Sequence, residues 1–555
     1  MAILTFNKSR FEKDIGKFDE DMQSKVAMFG TPIEAQTDNE IQIEVFPNRP
    51  DLLSYHGFKR AFLAFLGKKK GLKEYNINKP EKNYLVNVES SLKNIRPFTA
   101  CAIVKNLILD DEKIKEIIDM QEKLHLTLGR KRKKVAIGIY PLEKIKLPIT
   151  FKALEPDKIK FIPLEMDKEL SGLEILQRHS AGKDYAHLLA GKALFPVFVD
   201  SANQILSMPP IINSQSTGRV VVETQDVFIE CSGFEMEILK QCLNLIVASM
   251  AEMGAKVYQM EIKYGFTKKE TTPDLTTRKM KISIANVNKL LGLELKEKEI
   301  RHLLEKMGYG YKPGSGAGTV EIPAWRTDIL HEVDIIEDVA IAYGYDKFVP
   351  EIPLISTHGS VAKEATIKKR MGEILSGLGF LEVANYHLTK KEDQIKKMDV
   401  PEKTDPLKVI ESKTEYNILR ENLSHFLLKN LSENVDSEYP QKIFEIGRIF
   451  SSASGKPTEE ESLALAITPG NFTESRQAVE YLFRMIDKKI LFLEADAGKM
   501  PPWFIDGRTA GIVLNGKTIG YLGEVHPKIL QNWRIRMPVA LLEIEIDDVL
   551  KELIV

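Results

Sequence analysis

A chain of 555 residues is too long for a single hydrophobic core, because single domains usually contain ~100–200 residues. Its 78 basic and 79 acidic residues nearly cancel, which argues against a protein that coats nucleic acid with its whole surface. Hydrophobic residues make up 43% of the chain, and no apolar run approaches the ~18 residues that a membrane span needs. We expect several domains, a local surface for any RNA contact, and no membrane partner.

The redox and targeting signals favour a cytoplasmic protein. Cys101, Cys231 and Cys242 form no Cys-x-x-Cys pair and have no histidines at zinc spacing. The first residues become charged at Lys8 before any long apolar segment develops, which is not typical of a secretory signal.

The first region, residues 1–75, is predicted to be an N-terminal module. Strict alternation in residues 41–46 indicates a strand, and Pro47 and Pro50 should end it in a rigid loop. Residues 52–66 have a helical pattern, which Gly67 should stop.

The second region, residues 76–270, alternates short apolar runs with turns and helices, as expected for a mixed α/β domain. Its segment 208–213 contains Pro209 and Pro210, which impose an extended backbone without amide donors. We expect this rigid, partly apolar segment to line a pocket.

The third region, residues 271–348, is compact and has two short helices, near 287–291 and 297–306, between strands. This plan resembles a winged helix, although plan alone does not establish nucleic-acid binding. The fourth region, residues 349–555, opens with a helix at 362–378 that Gly379 should end, and many strands follow. The expected fold class is therefore multidomain α+β, with an antiparallel sheet in the last domain.

An acidic stretch in the third region carries the sharpest chemical signal. A helix that begins near Asp328 would place Asp334, Glu337 and Asp338 at i, i+3 and i+4, with Asp328 at its N-cap. Carboxylates crowded on one flank repel one another, and a Mg²⁺ ion that accepts oxygen ligands would relieve this repulsion. The alternative is an acidic flank that is solvated or paired with basic side chains.

Two basic clusters, Lys68 to Lys70 and Arg130 to Lys134, are candidates for RNA contact. Charge runs usually face water, so a solvated surface is the competing interpretation for each.

Four ordered segments resemble landmarks of the phenylalanyl-tRNA synthetase beta subunit family, in its archaeal and eukaryotic type. They span nearly the whole chain: residues 47–54 (Pro-Asn-Arg-Pro-Asp-Leu-Leu-Ser), 328–346, 444–447 (Phe-Glu-Ile-Gly) and 520–527 (Gly-Tyr-Leu-Gly-Glu-Val-His-Pro). The resemblance implies an N-terminal module, an editing-type domain, a compact metal-carrying domain and a class II synthetase-like domain. It also implies an α2β2 assembly with a catalytic alpha subunit, tRNA-Phe as a partner, and Mg²⁺ at Asp328, Asp334, Glu337 and Asp338.

The class II-like domain is expected to be catalytically silent, so that alpha binds ATP and this chain holds no aminoacylation residue. A working centre needs arginines for the triphosphate, because that group requires fixed positive charge. Arg420 is a weak match to the first of these arginines, and the late stretch 537–545 contains neither glycine nor arginine.

The editing-type domain implies hydrolysis of tyrosine wrongly esterified to tRNA-Phe, with Ser207, Asn213 and His179 as candidate residues. The competing interpretation is that they are loop residues satisfied by backbone groups. Two departures from the family pattern put editing in doubt: Pro141 replaces an expected aspartate, and Cys231-Ser232-Gly233-Phe234 replaces a threonine-glycine pattern. Two other functions stay open, a freestanding hydrolase of mischarged tRNA and a winged-helix nucleic-acid binder or assembly scaffold.

Overall fold

The structure is a computed structural model that describes residues 2–314, 316–401, 406–410, 412, 414–453, 456–496 and 498–554. The chain forms two compact units, Met1–Ile352 and Pro353–Val555. The expected multidomain α+β class is confirmed, because helices and several separate sheets occur in both units. The finer division into four domains stays a prediction. No helix in the described ranges is both long and apolar enough to cross a membrane.

The N-terminal part of unit 1 is a small sheet covered by helices. The strands pair antiparallel in the order β1-β3-β2. Their bounds are β1 (Ala2–Asn7), β2 (Ile33–Gln36) and β3 (Glu40–Val45), and the helices are α1 (Lys8–Asp14), α2 (Glu20–Met28) and α3 (Tyr55–Phe65). Strand β3 and helix α3 confirm two sequence predictions, and Gly67 follows α3 with φ +76°, a conformation that favours glycine.

The middle part of unit 1 is built on one large sheet with the strand order β13-β12-β11-β8-β5-β15-β6-β14-β7, to which β4 and β16 add beside β15. The strands of the large sheet are β4 (Ile77–Asn78), β5 (Leu85–Val88), β6 (Phe98–Lys105), β7 (Val135–Pro141), β8 (Ile149–Leu154), β11 (Phe195–Val199), β12 (Ile205–Met208), β13 (Ile212–Asn213), β14 (Val227–Gly233), β15 (Lys256–Tyr264) and β16 (Glu270–Thr272). Strands β9 (Lys160–Phe161) and β10 (Leu170–Ser171) pair with each other in a separate antiparallel sheet. The helices are α4 (Asp111–Leu126), α5 (Gly172–Arg178), α6 (Ser180–Tyr185), α7 (Gln215–Gly218) and α8 (Met236–Glu252).

The last part of unit 1 has a three-stranded antiparallel sheet in the order β17-β19-β18. Its elements are β17 (Arg278–Ser283), β18 (Gly310–Lys312), β19 (Ala317–Ile322), α9 (Ile284–Leu291), α10 (Glu297–Lys306) and α11 (Glu332–Tyr343). A contiguous apolar core joins all three parts of unit 1, since it contains Phe58 of α3, Leu243 of α8 and Val339 of α11.

The predicted start of the acidic helix is wrong. Helix α11 begins at Glu332 with His331 as its N-cap, because the Asp334 carboxylate accepts from the backbone N–H groups of Leu330 and His331 at 2.7 Å each. With this start, Val333 is 54% exposed, while Ile335 and Ile336 are buried.

Unit 2 is built on a sheet with the order β20-β23-β24-β28-β27-β26-β25, which is antiparallel except for the β20–β23 pair. The strands are β20 (Leu381–Glu382), β21 (Leu388–Thr389), β22 (Ile418–Leu419), β23 (Gln441–Ala453), β24 (Lys456–Thr468), β25 (Leu491–Glu494), β26 (Phe504–Leu514), β27 (Lys517–Val525) and β28 (Ala540–Glu545). The helices are α12 (Lys363–Gly377), α13 (Ser424–Glu433), α14 (Phe472–Met485), α15 (Pro527–Asn532) and α16 (Asp547–Ile554), and Gly379 follows α12 at φ +82°.

Candidate functional sites

A cavity of about 670 Å³ opens beside α4 and the strands β7 and β14 of unit 1. Its wall is largely apolar, with isoleucines from α4 and β7, and it includes the segment from Pro209 to Asn213. The prediction that this proline-containing segment lines a pocket is confirmed. Polar groups also face the cavity, among them Asn213, Glu230 and His125. A concave apolar site with a few convergent polar groups is the usual form of a small-ligand pocket.

The Tyr140 hydroxyl joins the polar groups at the base of this cavity. It lies 2.8 Å from Ser207 Oγ, 3.3 Å from Asn213 Oδ1 and 3.3 Å from Glu230 Oε1. The sheet sets this geometry, because Ser207 of β12 is the register partner of Asn213 in β13. Two predicted residues, Ser207 and Asn213, are thus brought together around a tyrosine that the sequence reasoning did not select.

Glu230 is a carboxyl group enclosed by the protein. It is 2% exposed, and its Oε2 atom has no hydrogen-bond partner among the described residues. Burial raises the pKa of Glu230 to about 8, an effect that the Arg96 guanidinium and the Tyr140 hydroxyl only partly offset. The group therefore carries a proton for much of the time near neutral pH, and the residue lines a ligand-sized cavity.

Two glycines make room for this polar cluster. Gly138 of β7 is the register partner of Glu230, and a Cβ added at Gly138 would lie 2.7 Å from Glu230 Oε1 and would also collide with the Tyr140 hydroxyl. A Cβ added at Gly218 would lie 2.6 Å from the Cβ of Asn213. Glycine inside a strand often marks such a close approach.

His179 does not line the cavity. Its Nε2 lies 3.0 Å from the Leu164 carbonyl oxygen, and its Nδ1 accepts from the backbone N–H of Ala181 at 3.1 Å. Both ring nitrogens are satisfied by backbone groups, so the structure gives His179 the capping role at the start of α6. Ser207 is 1% exposed and does not line the cavity either, but its Oγ lies 2.8 Å from the Tyr140 hydroxyl, which in turn contacts Asn213 and Glu230.

The two departures from the family pattern lie in the strands that carry the cavity. Pro141 ends β7, and Cys231 and Ser232 follow Glu230 in β14. Ser232 Oγ accepts from Arg96 Nε at 3.1 Å, and Cys231 is fully buried. Pro141, Cys231 and Ser232 are therefore strand residues that do not line the cavity.

Arg132, which belongs to the basic cluster Arg130 to Lys134, lines the cavity. Arg132 donates to the Ile211 carbonyl oxygen at 2.7 Å and to Glu122 Oε1 at 3.0 Å, and its guanidinium lies 4.4 Å from the Tyr185 ring centroid. Arg132 therefore has a structural role in the pocket, while Arg130 and Lys131 are exposed.

The acidic residues near α11 surround a buried arginine. Arg326 donates to both oxygens of Asp328 through Nε and Nη2, at 2.9 and 2.7 Å, and Nη2 also lies 2.6 Å from Asp338 Oδ2. The Tyr309 hydroxyl donates to the same Asp338 oxygen. Asp328 is thus an ion-pair partner and not the helix N-cap that the sequence predicts.

Glu337 is the acidic residue of this group that lies most open to solvent. Burial raises its pKa, and the charges of Asp338, Asp334 and Asp328 raise it further. In the described part of the chain, no three His, Cys, Asp or Glu side chains form a group arranged to hold a metal ion. The surplus of negative charge around Glu337 still fits a hydrated cation that keeps several water ligands.

Arg420, the weak match to a nucleotide-binding arginine, is enclosed in unit 2. It forms an ion pair with Glu445 at 2.6 Å and donates to the Arg448 and Asn385 carbonyl oxygens at 2.7 and 3.2 Å. In the late stretch, buried Glu543 accepts from the backbone N–H of Leu423 at 2.7 Å. The guanidinium of Arg420 is thus paired with groups of the protein itself.

Comparisons with known proteins agree on one family. Residues 280–345 match the tRNA synthetase B5 domain, and residues 349–546 match the phenylalanyl tRNA synthetase beta chain CLM domain. The phenylalanine–tRNA ligase beta subunit of Thermococcus sibiricus is 40% identical over 90% of this chain and 88% of its own length. That of Archaeoglobus fulgidus is 38% identical over 98% of each chain.

A solved structure supports the same relationship for the N-terminal portion. The crystal structure of an N-terminal fragment of the phenylalanyl-tRNA synthetase beta subunit from Pyrococcus horikoshii is 39% identical, with a TM-score of 0.59. The match covers 62% of this chain and 99% of that fragment. The chain belongs to the phenylalanine–tRNA ligase beta subunit family.

Proposed function

We propose that this chain is the noncatalytic subunit of a phenylalanine–tRNA ligase, which joins L-phenylalanine to tRNA-Phe with ATP in an α2β2 assembly with alpha. Family membership across nearly the whole chain supports this role. The alpha subunit supplies the aminoacylation centre. Buried Arg420 supports this division, because its pairing with Glu445 leaves no free cation for a triphosphate at that position.

The same chain is proposed to hydrolyse Tyr-tRNA-Phe in the cavity of unit 1. The observation that carries this proposal is the Oε2 atom of Glu230, which has no hydrogen-bond partner among the described residues, in a buried carboxyl whose Oε1 lies 3.3 Å from the Tyr140 hydroxyl and which lines the same cavity as Asn213. Tyrosine differs from phenylalanine by one hydroxyl, and a buried polar group left unpaired by phenylalanine favours tyrosine.

Glu230 is the proposed recognition group for the tyrosine hydroxyl. A protonated carboxyl can donate to and accept from a phenol, and the pKa of about 8 keeps Glu230 largely protonated near neutral pH. Asn213 lines the same cavity with an amide that can donate as well as accept. In the reaction, water adds to the ester carbonyl, and tyrosine and the free tRNA hydroxyl are released.

Deacylation of Tyr-tRNA-Phe by the purified complex tests this proposal. We expect Glu230→Ala and Asn213→Ala each to slow hydrolysis by about tenfold or more, because each removes a polar contact inside an enclosed site. Glu235→Ala is the matched control, since Glu235 is exposed and its ion pair among the described residues is with Lys134, away from the cavity wall. Unchanged hydrolysis in Glu230→Ala would contradict the assignment.

Mg²⁺ is proposed to bind at the acidic flank of α11, with Asp328, Asp334, Glu337 and Asp338 as oxygen donors. The raised pKa of Glu337 supports a local excess of negative charge there. A bound Mg²⁺ would neutralise this charge and stabilise the start of the helix.

Purification from the source organism distinguishes the ligase from the two other functions. Co-elution with a second synthetase-like chain, and phenylalanine activation by that complex alone, would support the proposal. Hydrolysis by a lone chain would favour a freestanding hydrolase, and binding of nucleic acid without either activity would favour a scaffold.

A further inference from the structure

A second, smaller cavity in unit 1 is rich in cationic side chains. Its volume is about 60 Å³, and it lies between α3, the segment that follows α3, and the Trp325–Arg326 stretch. Cationic residues outnumber carboxylates among the described residues that line it: Arg49, Lys59, Arg60, Lys69, Lys73 and Arg326 face Asp51 and Glu252. Since roughly 10–15 Å³ of such space holds one water molecule, this cavity has room for a small ion but not for a nucleoside.

Two buried guanidinium nitrogens at this cavity have no hydrogen-bond partner among the described residues. They are Arg60 Nε and Arg326 Nη1. The Arg326 side chain is only 3% exposed, and its other nitrogens are held by Asp328 and Asp338. A buried charged donor without an acceptor is unfavourable, so two such donors at one cavity indicate a missing acceptor.

Arg60 supplies positive charge at this cavity without a direct ion pair among the described residues, and the carboxylates of Asp51 and Glu252 act on it only from beyond ion-pair distance. Arg49 is paired with Asp51 at 2.9 Å, and Lys73 with Glu252 at 2.6 Å. For Arg60, in contrast, no carboxylate of the described residues lies within ion-pair distance. It donates to the Tyr75 hydroxyl at 3.3 Å, and its guanidinium lies 4.4 Å from the Trp325 ring centroid, so its position is fixed by neutral groups.

From these contacts we infer that the cavity is a binding site for one phosphate-type oxyanion, held by Arg60 and Arg326. A tetrahedral oxyanion offers several acceptor oxygens, which matches two donors without partners on different segments that line the same cavity. Lys69 is exposed and lines the same cavity, so it can attract the anion from solvent. The phosphoryl group comes either from free phosphate or from a phosphate of bound RNA.

Calorimetric titration of the full chain with potassium phosphate, at ionic strength held constant with chloride, tests the inference. We expect saturable binding that Arg60→Met weakens by about tenfold, since methionine keeps the contact with Trp325 but loses the donors and the charge. Arg476→Met is the matched control: this arginine also lies over an aromatic ring, 4.8 Å from the Phe492 centroid, and does not line the cavity.

A second variant keeps the test decisive if Arg60→Met fails to fold. Lys69→Met changes an exposed side chain, and we expect it to weaken phosphate binding by about twofold to fivefold. A short RNA with a 5′-phosphate, compared with the same RNA without it, identifies the source of the phosphoryl group. If only the 5′-phosphorylated RNA displaces bound phosphate, the source is RNA. If neither RNA displaces it, the ligand is the free ion. Absence of saturable binding, or equal affinity in the wild type and both variants, would overturn the inference.

Discussion

Glu230 of β14 lies directly opposite Gly138 of β7, and the missing side chain at Gly138 leaves the space that the Tyr140 hydroxyl and the Glu230 carboxyl share. The polar cluster of the large cavity therefore depends on a residue that contributes no functional group. The geometry of the cluster depends on the register between β7 and β14, which places Gly138 opposite Glu230, as well as on the polar residues.

Gly138→Ala should disrupt this cluster. The added methyl group would collide with the Tyr140 hydroxyl and lie 2.7 Å from Glu230 Oε1, so we expect Tyr-tRNA-Phe hydrolysis to fall about tenfold or more. Overpacking should also lower the free energy of unfolding by ~1–3 kcal/mol. Gly511→Ala is the control, because the nearest atom to an added Cβ there lies at 3.6 Å. Equal hydrolysis rates in the two variants would refute the role of Gly138.

Glu230 should make the stability of unit 1 depend on pH. Its folded pKa of about 8 lies above the ordinary value of 4.5, so both states are protonated below pH 4.5. Between 4.5 and about 8 the unfolded chain loses its proton first, so the free energy of unfolding decreases as pH rises. Glu230→Gln removes this loss. The free energy of unfolding of the variant minus that of the wild type should therefore increase by a few kcal/mol from pH 5 to pH 8. Calorimetric melting at both pH values checks this, and a constant difference would be the contrary result.

Arg420→Met should strongly destabilise unit 2. The substitution leaves Glu445, which is 3% exposed, as a buried charge without its partner, and breaking such a pair costs ~3–5 kcal/mol. Arg448→Met removes a half-exposed arginine that pairs with Glu459 and Glu461, and should cost about 1 kcal/mol or less. Urea unfolding of both variants measures the contrast. Similar losses of unfolding free energy in the two variants would show that the buried Arg420–Glu445 pair contributes no more to stability than the exposed one.

Asp334 combines a capping role with the proposed metal role, and two substitutions separate them. Asp334→Asn keeps an oxygen that can accept from Leu330 and His331 but removes the charge, so we expect little loss of stability and weaker Mg²⁺ binding. Asp334→Ala removes both, and should cost about 1 kcal/mol in addition. Thermal unfolding and Mg²⁺ titration report the two effects, and wild-type Mg²⁺ affinity in Asp334→Asn would exclude Asp334 as a ligand.

Sequence periodicity and glycine positions predicted most helix bounds correctly. Contacts between residues of different segments determined the features that were predicted wrongly. Helix α3 and Gly67 follow from periodicity and glycine conformation, and so do helix α12 and Gly379. The start of α11 was mispredicted because Asp328 binds Arg326, a contact that no helical spacing reveals.

The candidate cavity shows the same limit. The rigid segment up to Asn213 was predicted to line a pocket, and it does. The sequence reasoning missed Glu230 although it left a signal, since a glutamate between Ile229 and Cys231 in a mostly apolar strand is a buried ionisable group that needs a reason. Tyr140 left no such signal in the sequence, because tyrosine is common in apolar strands.

The shared core of unit 1 has a consequence for how this chain can change over time. Phe58, Leu243 and Val339 belong to one apolar cluster that draws on residues from Leu4 to Ala342. Excising the middle sheet would strip that cluster of neighbours on both sides and expose its remaining side chains to water. If the proposed editing activity is lost in a related chain, we therefore expect point substitutions around the pocket and retention of the middle sheet, because the apolar core of unit 1 still requires it.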